Sequence, residues 1–164
     1  LDLTDGESLK PYLARYPQLF LLKAFTKSYG MAGVRLGYGL CADADMLRDM
    51  ASAAPPWNVS TLAQAAGVAA LRETEFLEKT RTIVKTERAW LTGALGALGY
   101  RVIASDANYL LFRAASGLSD ALREKGVLIR SCDNYEGLSS GWYRVAVRTH
   151  AENEALIQTI REIE

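Results

Sequence analysis

The sequence predicts an α/β chain in two parts joined by one long helix. Three observations predict it. Two short apolar runs, at residues 18–22 and 35–41, flank a glycine-rich stretch near the front of the chain. Residues 60–98 repeat apolar side chains at three-, four- and seven-residue spacings, as one face of a helix does. Beyond Gly99 short β-type runs alternate with helical ones, the pattern of a compact α+β unit. The expected division is 1–75 for the α/β part, 76–98 for the linking helix and 99–164 for the small α+β domain.

In chain order, residues 9–15 read as a short helix that must end before Pro17, since the residue before a proline is pushed out of the α region. Residues 18–22 read as a buried strand and 35–41 as a second one. Residues 43–53 suit a helix with an acidic first turn, which Pro55 and Pro56 stop. Residues 60–98 divide into two helices meeting near 72–74. The first is alanine-rich, and the second carries Leu77, Thr80, Val84, Leu91, Leu95 and Leu98 on one stripe. Gly99 sits where a helix turns left-handed at its C-terminal end. Strands are expected at 101–104, 108–112, 127–130 and 143–147, with a helix at 119–125. A last helix opens on Thr149 and Glu152, the two ends of a capping box.

Composition narrows the function. The chain has 164 residues, 49% apolar and 23% charged, as a folded globular chain does. Nineteen basic residues balance nineteen acidic ones, so no net field draws it to nucleic acid or an anionic membrane, and neither partner is expected. The first twenty residues are charged throughout, and no run approaches the roughly 18 apolar residues of a membrane span; a cytoplasmic location is expected. Cys41 and Cys132 match no metal-ligand spacing, and His150 is the single histidine. Zinc sites, Cys-His nucleophiles and Ser-His-Asp triads therefore lack partners, and no metal is expected.

The chemistry concentrates in "FTKSYGMAGVRLGY", residues 25–38, where Lys27 and Arg35 stand among glycines and apolar residues. Glycines at 30, 33, 37 and 39 let backbone approach a ligand closely. A lysine in such an interior-looking run is expected to be partly desolvated, which favours its neutral, nucleophilic form. A fixed arginine binds an anion through two parallel hydrogen bonds. An amine and an anion clamp on one segment suit pyridoxal phosphate, which offers an aldehyde to the one and a phosphate to the other. For either cation taken alone, an ordinary surface residue remains the alternative.

The string Thr26-Lys27-x-x-Gly30-x-x-Gly33-x-Arg35-x-Gly37-Tyr38 resembles the cofactor-lysine motif of the fold type I pyridoxal-phosphate enzymes, the class I and II aminotransferases. The resemblance implies that Lys27 holds pyridoxal 5'-phosphate covalently and then moves protons, that Arg35 binds its phosphate, and that Thr26 also contacts the cofactor. Ala24 stands where many relatives have a phosphate-binding hydroxyl. Lys23 is a rival for the covalent role but is read as the end of a strand.

A second resemblance, in "ANYLLFR" (107–113) and "VLIRSCDNYEGLSSGWYRVAVRTHAENEAL" (127–156), is to the histidinol-phosphate aminotransferase and threonine-phosphate decarboxylase branches of that family. The pieces "IRSC", "YRVAVR" and "PPWNVSTLAQAAG" lean toward the decarboxylase, an enzyme of cobalamin synthesis. By this resemblance Arg144 binds the substrate carboxylate and Arg130 lies near the substrate's anionic groups; a strand-end arginine in a surface ion pair is the alternative for Arg130. Asn108, Tyr109, Arg148 and Asn153 are read as structural, and His150 as solvated.

The likeness covers nearly the whole chain but only about the second half of the family's length. It implies the C-terminal part of a fold type I transferase, with a remnant of the large α/β domain, the linking helix and the small domain. The family's aspartate for the pyridine nitrogen, its asparagine and tyrosine for the ring hydroxyl and its glycine-rich phosphate turn are expected upstream, and neither Asp2 nor Asp5 takes the aspartate's role. A homodimer is implied. A fragment that is catalytically silent by itself is the competing expectation, and uncovered strand edges are expected of it.

Overall fold

A computed structural model describes residues 2–4 and 6–164 of the chain. They divide into two compact units. The first takes in Asp2 and Gly6–Thr80, the second Leu3, Thr4 and Arg81–Glu164.

The first unit is built on a two-stranded antiparallel sheet, β1 (Leu21–Ala24) against β2 (Gly37–Leu40), with Leu21 opposite Leu40 and Ala24 opposite Gly37. Between the strands run a single-turn helix α1 (Phe25–Ser28) and a 3-10 turn, Ala32–Val34. Helix α2 (Ala44–Ala53) begins where Asp43 accepts the amides of Asp45 and Met46 at 2.9 and 3.0 Å, satisfying free donors of the first turn. Helix α3 (Thr61–Ala70) begins likewise at Ser60, which accepts the Ala63 amide at 3.1 Å. Phe25, Ala63, Gly67 and Ala70 are its buried centre. Helix α4 (Thr74–Ala97) starts in this unit, and the boundary falls after Thr80.

The second unit is a four-stranded antiparallel sheet in the order β3-β4-β6-β5, formed by β3 (Arg101–Ile103), β4 (Tyr109–Arg113), β5 (Arg130–Ser131) and β6 (Trp142–Ala146). One face packs on α4, α5 (Leu118–Glu124) and α6 (His150–Ile163), burying Leu91, Leu95, Leu110, Phe112, Leu122, Tyr143 and Ile160 among others. Alternation along β4 and β6 sends Leu110, Phe112, Tyr143 and Val145 inward and leaves Tyr109, Arg113 and Arg144 exposed. Helix α4 ends with Gly99 left-handed at φ +80° and the Tyr100 amide on the Leu95 carbonyl at 3.2 Å. Helix α6 opens with the expected capping box of Thr149 and Glu152.

Three expectations need correction. Residues 9–15 contain only a 3-10 turn, Lys10–Tyr12: a segment that must end before Pro17 is too short to repay the cost of nucleating an α-helix. The first strand begins at Leu21 rather than at residue 18, so Lys23 lies within β1 opposite Tyr38. The strand expected at 127–130 shrinks to Arg130–Ser131, since the Val127 amide is spent on the Leu122 carbonyl at 2.9 Å, closing α5 through left-handed Gly126. Of the two early aspartates, Asp2 lies in a turn and Asp5 lies outside the described residues.

Candidate functional site

The segment carrying Lys27 is held from beneath. Phe25 is 3% exposed, its ring 5.4 Å from Tyr29 and 5.7 Å from Tyr38. Its amide donates to the Leu36 carbonyl at 3.2 Å, and its carbonyl accepts the Met31 amide at 3.2 Å. These two bonds close the loop 25–36 at its base, so what projects from it has a defined position.

Lys27, two residues on, is exposed. The desolvated lysine expected from the sequence is thus corrected: its neighbours Phe25 and Ser28 turn inward, and one turn of helix carries Lys27 to the other side. Among the described residues no carboxylate pairs with it. Thr26, half-buried beside it, has no hydrogen-bond partner for its hydroxyl among them.

Arg35 is exposed and left-handed at φ +57°. A non-glycine residue there is strained, by about 1–2 kcal/mol. Its guanidinium makes one long bond, 3.5 Å, to the Ala32 carbonyl. Of the four glycines, Gly30 serves a left-handed turn at φ +66°, while a methyl on Gly37 would lie 2.8 Å from the Lys23 carbonyl and one on Gly39 would run into the Phe20 ring. Only Gly33 borders open space without a backbone reason of its own, so the expectation of four ligand-facing glycines reduces to one.

Lys23 is occupied elsewhere. It ion-pairs with Asp2, which also accepts the Ser28 hydroxyl at 3.3 Å. Burial pushes the Asp2 carboxyl up, but the hydrogen bond and charge of Lys23, with Ser28, outweigh it and hold the group below the usual carboxylate range. Of these two lysines, Lys27 is the one without a carboxylate partner among the described residues.

In the second unit Arg130 and Arg144 face each other directly across β5 and β6. Each lies against an aromatic ring, Arg144 over Tyr109 at 5.0 Å and Arg130 over Tyr135 at 6.0 Å, a contact that orients a planar guanidinium. Neither is in an ion pair among the described residues, so the surface-pair alternative for Arg130 falls. Cys132, two residues after Arg130, is buried: burial pushes its thiol up, against the opposing pull of Arg144 and Arg130.

Tyr109 and Tyr135 were invisible as site residues in the sequence. Tyr109 does fix backbone, since its carbonyl accepts the Ser105 hydroxyl at 2.8 Å, but its ring also supports Arg144. It sits diagonally across the ladder, Leu111 being the direct partner of Arg144, and that needs the register. Asn108 is structural, accepting the Val147 amide at 2.9 Å. Arg148 pairs with Glu152, Nε to Oε1 at 2.8 Å. His150 is not merely solvated: its Nδ1 is 3.2 Å from Glu87 Oε2 and its ring meets Trp90 edge-on at 4.7 Å.

A free amine, a free hydroxyl and a nearly free guanidinium on one closed loop form a donor set for an aldehyde that bears a phosphate, and the residues present fit that group. Such a donor set suits pyridoxal phosphate, which offers an aldehyde to an amine and a phosphate to a cation. The chain belongs to the class I and II aminotransferase family, whose family model matches residues 3–160.

A histidinol-phosphate aminotransferase from Symbiobacterium thermophilum is 38% identical over 89% of this chain and 40% of its own length. A protein assigned as a threonine-phosphate decarboxylase, from Caldanaerobacter subterraneus subsp. tengcongensis, is 32% identical over 98% of this chain and 44% of its own. Among solved structures, the histidinol-phosphate aminotransferase of Clostridium acetobutylicum superposes with a TM-score of 0.93 at 28% identity, over 99% of this chain and 51% of that one. The chain thus spans about half the length of the relatives it matches. Its fold is that of the fold type I transferases over that length.

Proposed function

We propose that this chain is part of a pyridoxal-phosphate-dependent enzyme acting on a small phosphorylated amine, with amino transfer as its reaction. The observation that carries the reading is Arg35: a left-handed, strained position between Gly33 and Gly37 holds an arginine where glycine would rest without strain. The guanidinium is what the position is kept for.

In this reading Lys27 Nζ holds the cofactor and carries the proton that is taken from one carbon and returned to another. Arg35 and Thr26 anchor the phosphate, so the reacting end is aimed by two fixed points. When bound, the cofactor supplies a ring that accepts the electron pair left by bond cleavage. Arg144, steadied by Tyr109, and Arg130, steadied by Tyr135, take the anionic groups of the substrate. The small domain, 99–164, then supplies substrate contacts, while residues 1–75 supply the cofactor contacts and 76–98 link them. A homodimer is part of this proposal.

The relatives described above favour amino transfer from histidinol phosphate, reversing the leaning of "IRSC" and "YRVAVR" toward decarboxylation. Decarboxylation of threonine phosphate stands second, and one observation favours it: two opposed arginines suit a substrate with both a carboxylate and a phosphate.

The test adds pyridoxal phosphate to the chain, reduces with borohydride and locates the adduct by mass. Attachment at Lys27, lost in Lys27→Ala, is expected; unchanged labelling in that variant would sink the proposal. Amino transfer from histidinol phosphate to 2-oxoglutarate and carbon dioxide release from threonine phosphate, measured on the enzyme assembled with its remaining sequence, separate the two reactions.

A further inference from the structure

We infer that the open face of the four-stranded sheet carries a second anion site, built on Arg101 and Arg113, that takes a phosphate group. It goes beyond the function proposed above and needs neither Lys27 nor the cofactor.

Strands β3 and β4 set Arg101 directly opposite Arg113. Residues in direct antiparallel register project from the same face with Cβ atoms about 4.5–5.5 Å apart. Both arginines are exposed, on the side away from buried Leu110 and Phe112. The same row continues onto β6 at Trp142, the register partner of Arg113. The Arg101 guanidinium lies over the Trp142 ring, 5.7 Å from its centre, so one fork of the pair has an orienting platform.

The next row of this face holds Leu111, Arg144 and Arg130. Four arginines therefore stand on one face as two opposed pairs, and among the described residues none is in an ion pair. Like charges directly opposite one another weaken a sheet. In a chain with nineteen charges of each sign, neutralising partners are not scarce, yet none is placed here. An anion between the guanidinium groups removes the repulsion. Two planar forks offer more donors than the two oxygens of a carboxylate use well, and they match the three terminal oxygens of a phosphate monoester or the four of free phosphate.

The experiment titrates the 164-residue chain with inorganic phosphate, and separately with phenyl phosphate, against chloride at matched ionic strength. It follows the indole Nε1–H resonance of Trp142 and the arginine Nε–H resonances. A saturable shift with phosphate and none with chloride is expected. The double variant Arg101→Gln/Arg113→Gln should weaken binding by roughly tenfold or more, while Arg130→Gln/Arg144→Gln should leave the Trp142 shift in place. Arg101→Lys/Arg113→Lys, which keeps the charge but not the forks, serves as the second variant and should also bind more weakly. Tighter binding of phenyl phosphate marks a monoester as occupant and the reverse marks free phosphate, both supporting the site. Equal shifts with chloride, wild-type affinity in both Arg101/Arg113 variants, or loss of the Trp142 response in the Arg130/Arg144 variant would overturn it.

Discussion

Asn153 on α6, 1% exposed, donates from Nδ2 to Glu87 Oε2 on α4 at 3.0 Å and to the Arg148 carbonyl at 3.0 Å, while its Oδ1 accepts the Arg148 amide at 3.1 Å. One side chain thus ties the long helix to the turn that starts the last one. Replacing it with Ala leaves a nearly buried carboxylate short of a donor and two backbone groups unpaired. Asn153→Ala should cost about 1–3 kcal/mol, read by urea denaturation; a change below the error of that measurement would contradict the tie.

Gly141, left-handed at φ +91°, would place a methyl 2.7 Å from the Ala114 carbonyl oxygen, and its own carbonyl accepts the Ala114 amide at 2.9 Å. Strain and overlap act together there, and backbone cannot swing aside as a side chain does. Gly141→Ala should lower stability by about 1–3 kcal/mol in the same denaturation measurement.

The strain at Arg35 makes a separate prediction. Arg35→Gly and Arg35→Ala both remove the guanidinium, but only glycine relaxes the backbone at φ +57°. The glycine variant should be the more stable of the two by about 1 kcal/mol, while both lose cofactor affinity. Equal thermal midpoints would remove the strain argument.

The function proposed above divides roles between two arginines. Arg35→Ala should weaken pyridoxal phosphate uptake by roughly 1.5–3 kcal/mol, the worth of a hydrogen bond to a charged group, whereas Arg144→Ala should leave uptake unchanged and raise the substrate concentration required. Equal loss of cofactor in both, measured by absorbance titration, would undo that division.

Glu152 carries a pH dependence. Hydrogen bonds from Arg148 and Thr149 lower its carboxyl from an ordinary 4.5 to about 2. A carboxylate whose value is depressed on folding contributes stability in full above the ordinary value and loses it as pH falls toward the folded one. The first turn of α6 should therefore loosen between about pH 4.5 and 2, seen as faster amide exchange at residues 150–153. In Glu152→Gln that pH dependence should vanish.

Much of this was legible in the sequence for local reasons. Asp43, Ser60, Thr149 and Gly99 mark helix ends through chemistry that acts within four residues, and each does so in the structure. The stretch from Thr26 to Tyr38 singled out Lys27 and Arg35 by residue type and spacing. The exposure of Lys27 was not legible, because it depends on one turn of helix placing Phe25 and Ser28 inward. Nor was the support of Arg144 by Tyr109, or the row of Arg101, Arg113 and Trp142. Those depend on strand register, which pairs residues tens of positions apart and leaves no trace in spacing along the chain.

Lys27 follows β1 and Arg35 precedes β2, and the two strands are locked by Ala24 opposite Gly37 with the Phe25 amide on the Leu36 carbonyl. The separation of amine and guanidinium is therefore set as on a caliper whose jaws are the strand ends. A slip of two residues would keep each side chain on its own face yet move one jaw by about 6.6 Å. Phe20, filling the notch that Gly39 leaves, is the detent that holds the setting. A mutation at Phe20, remote from either cation, should thus read out as a misfit to the length of one small molecule.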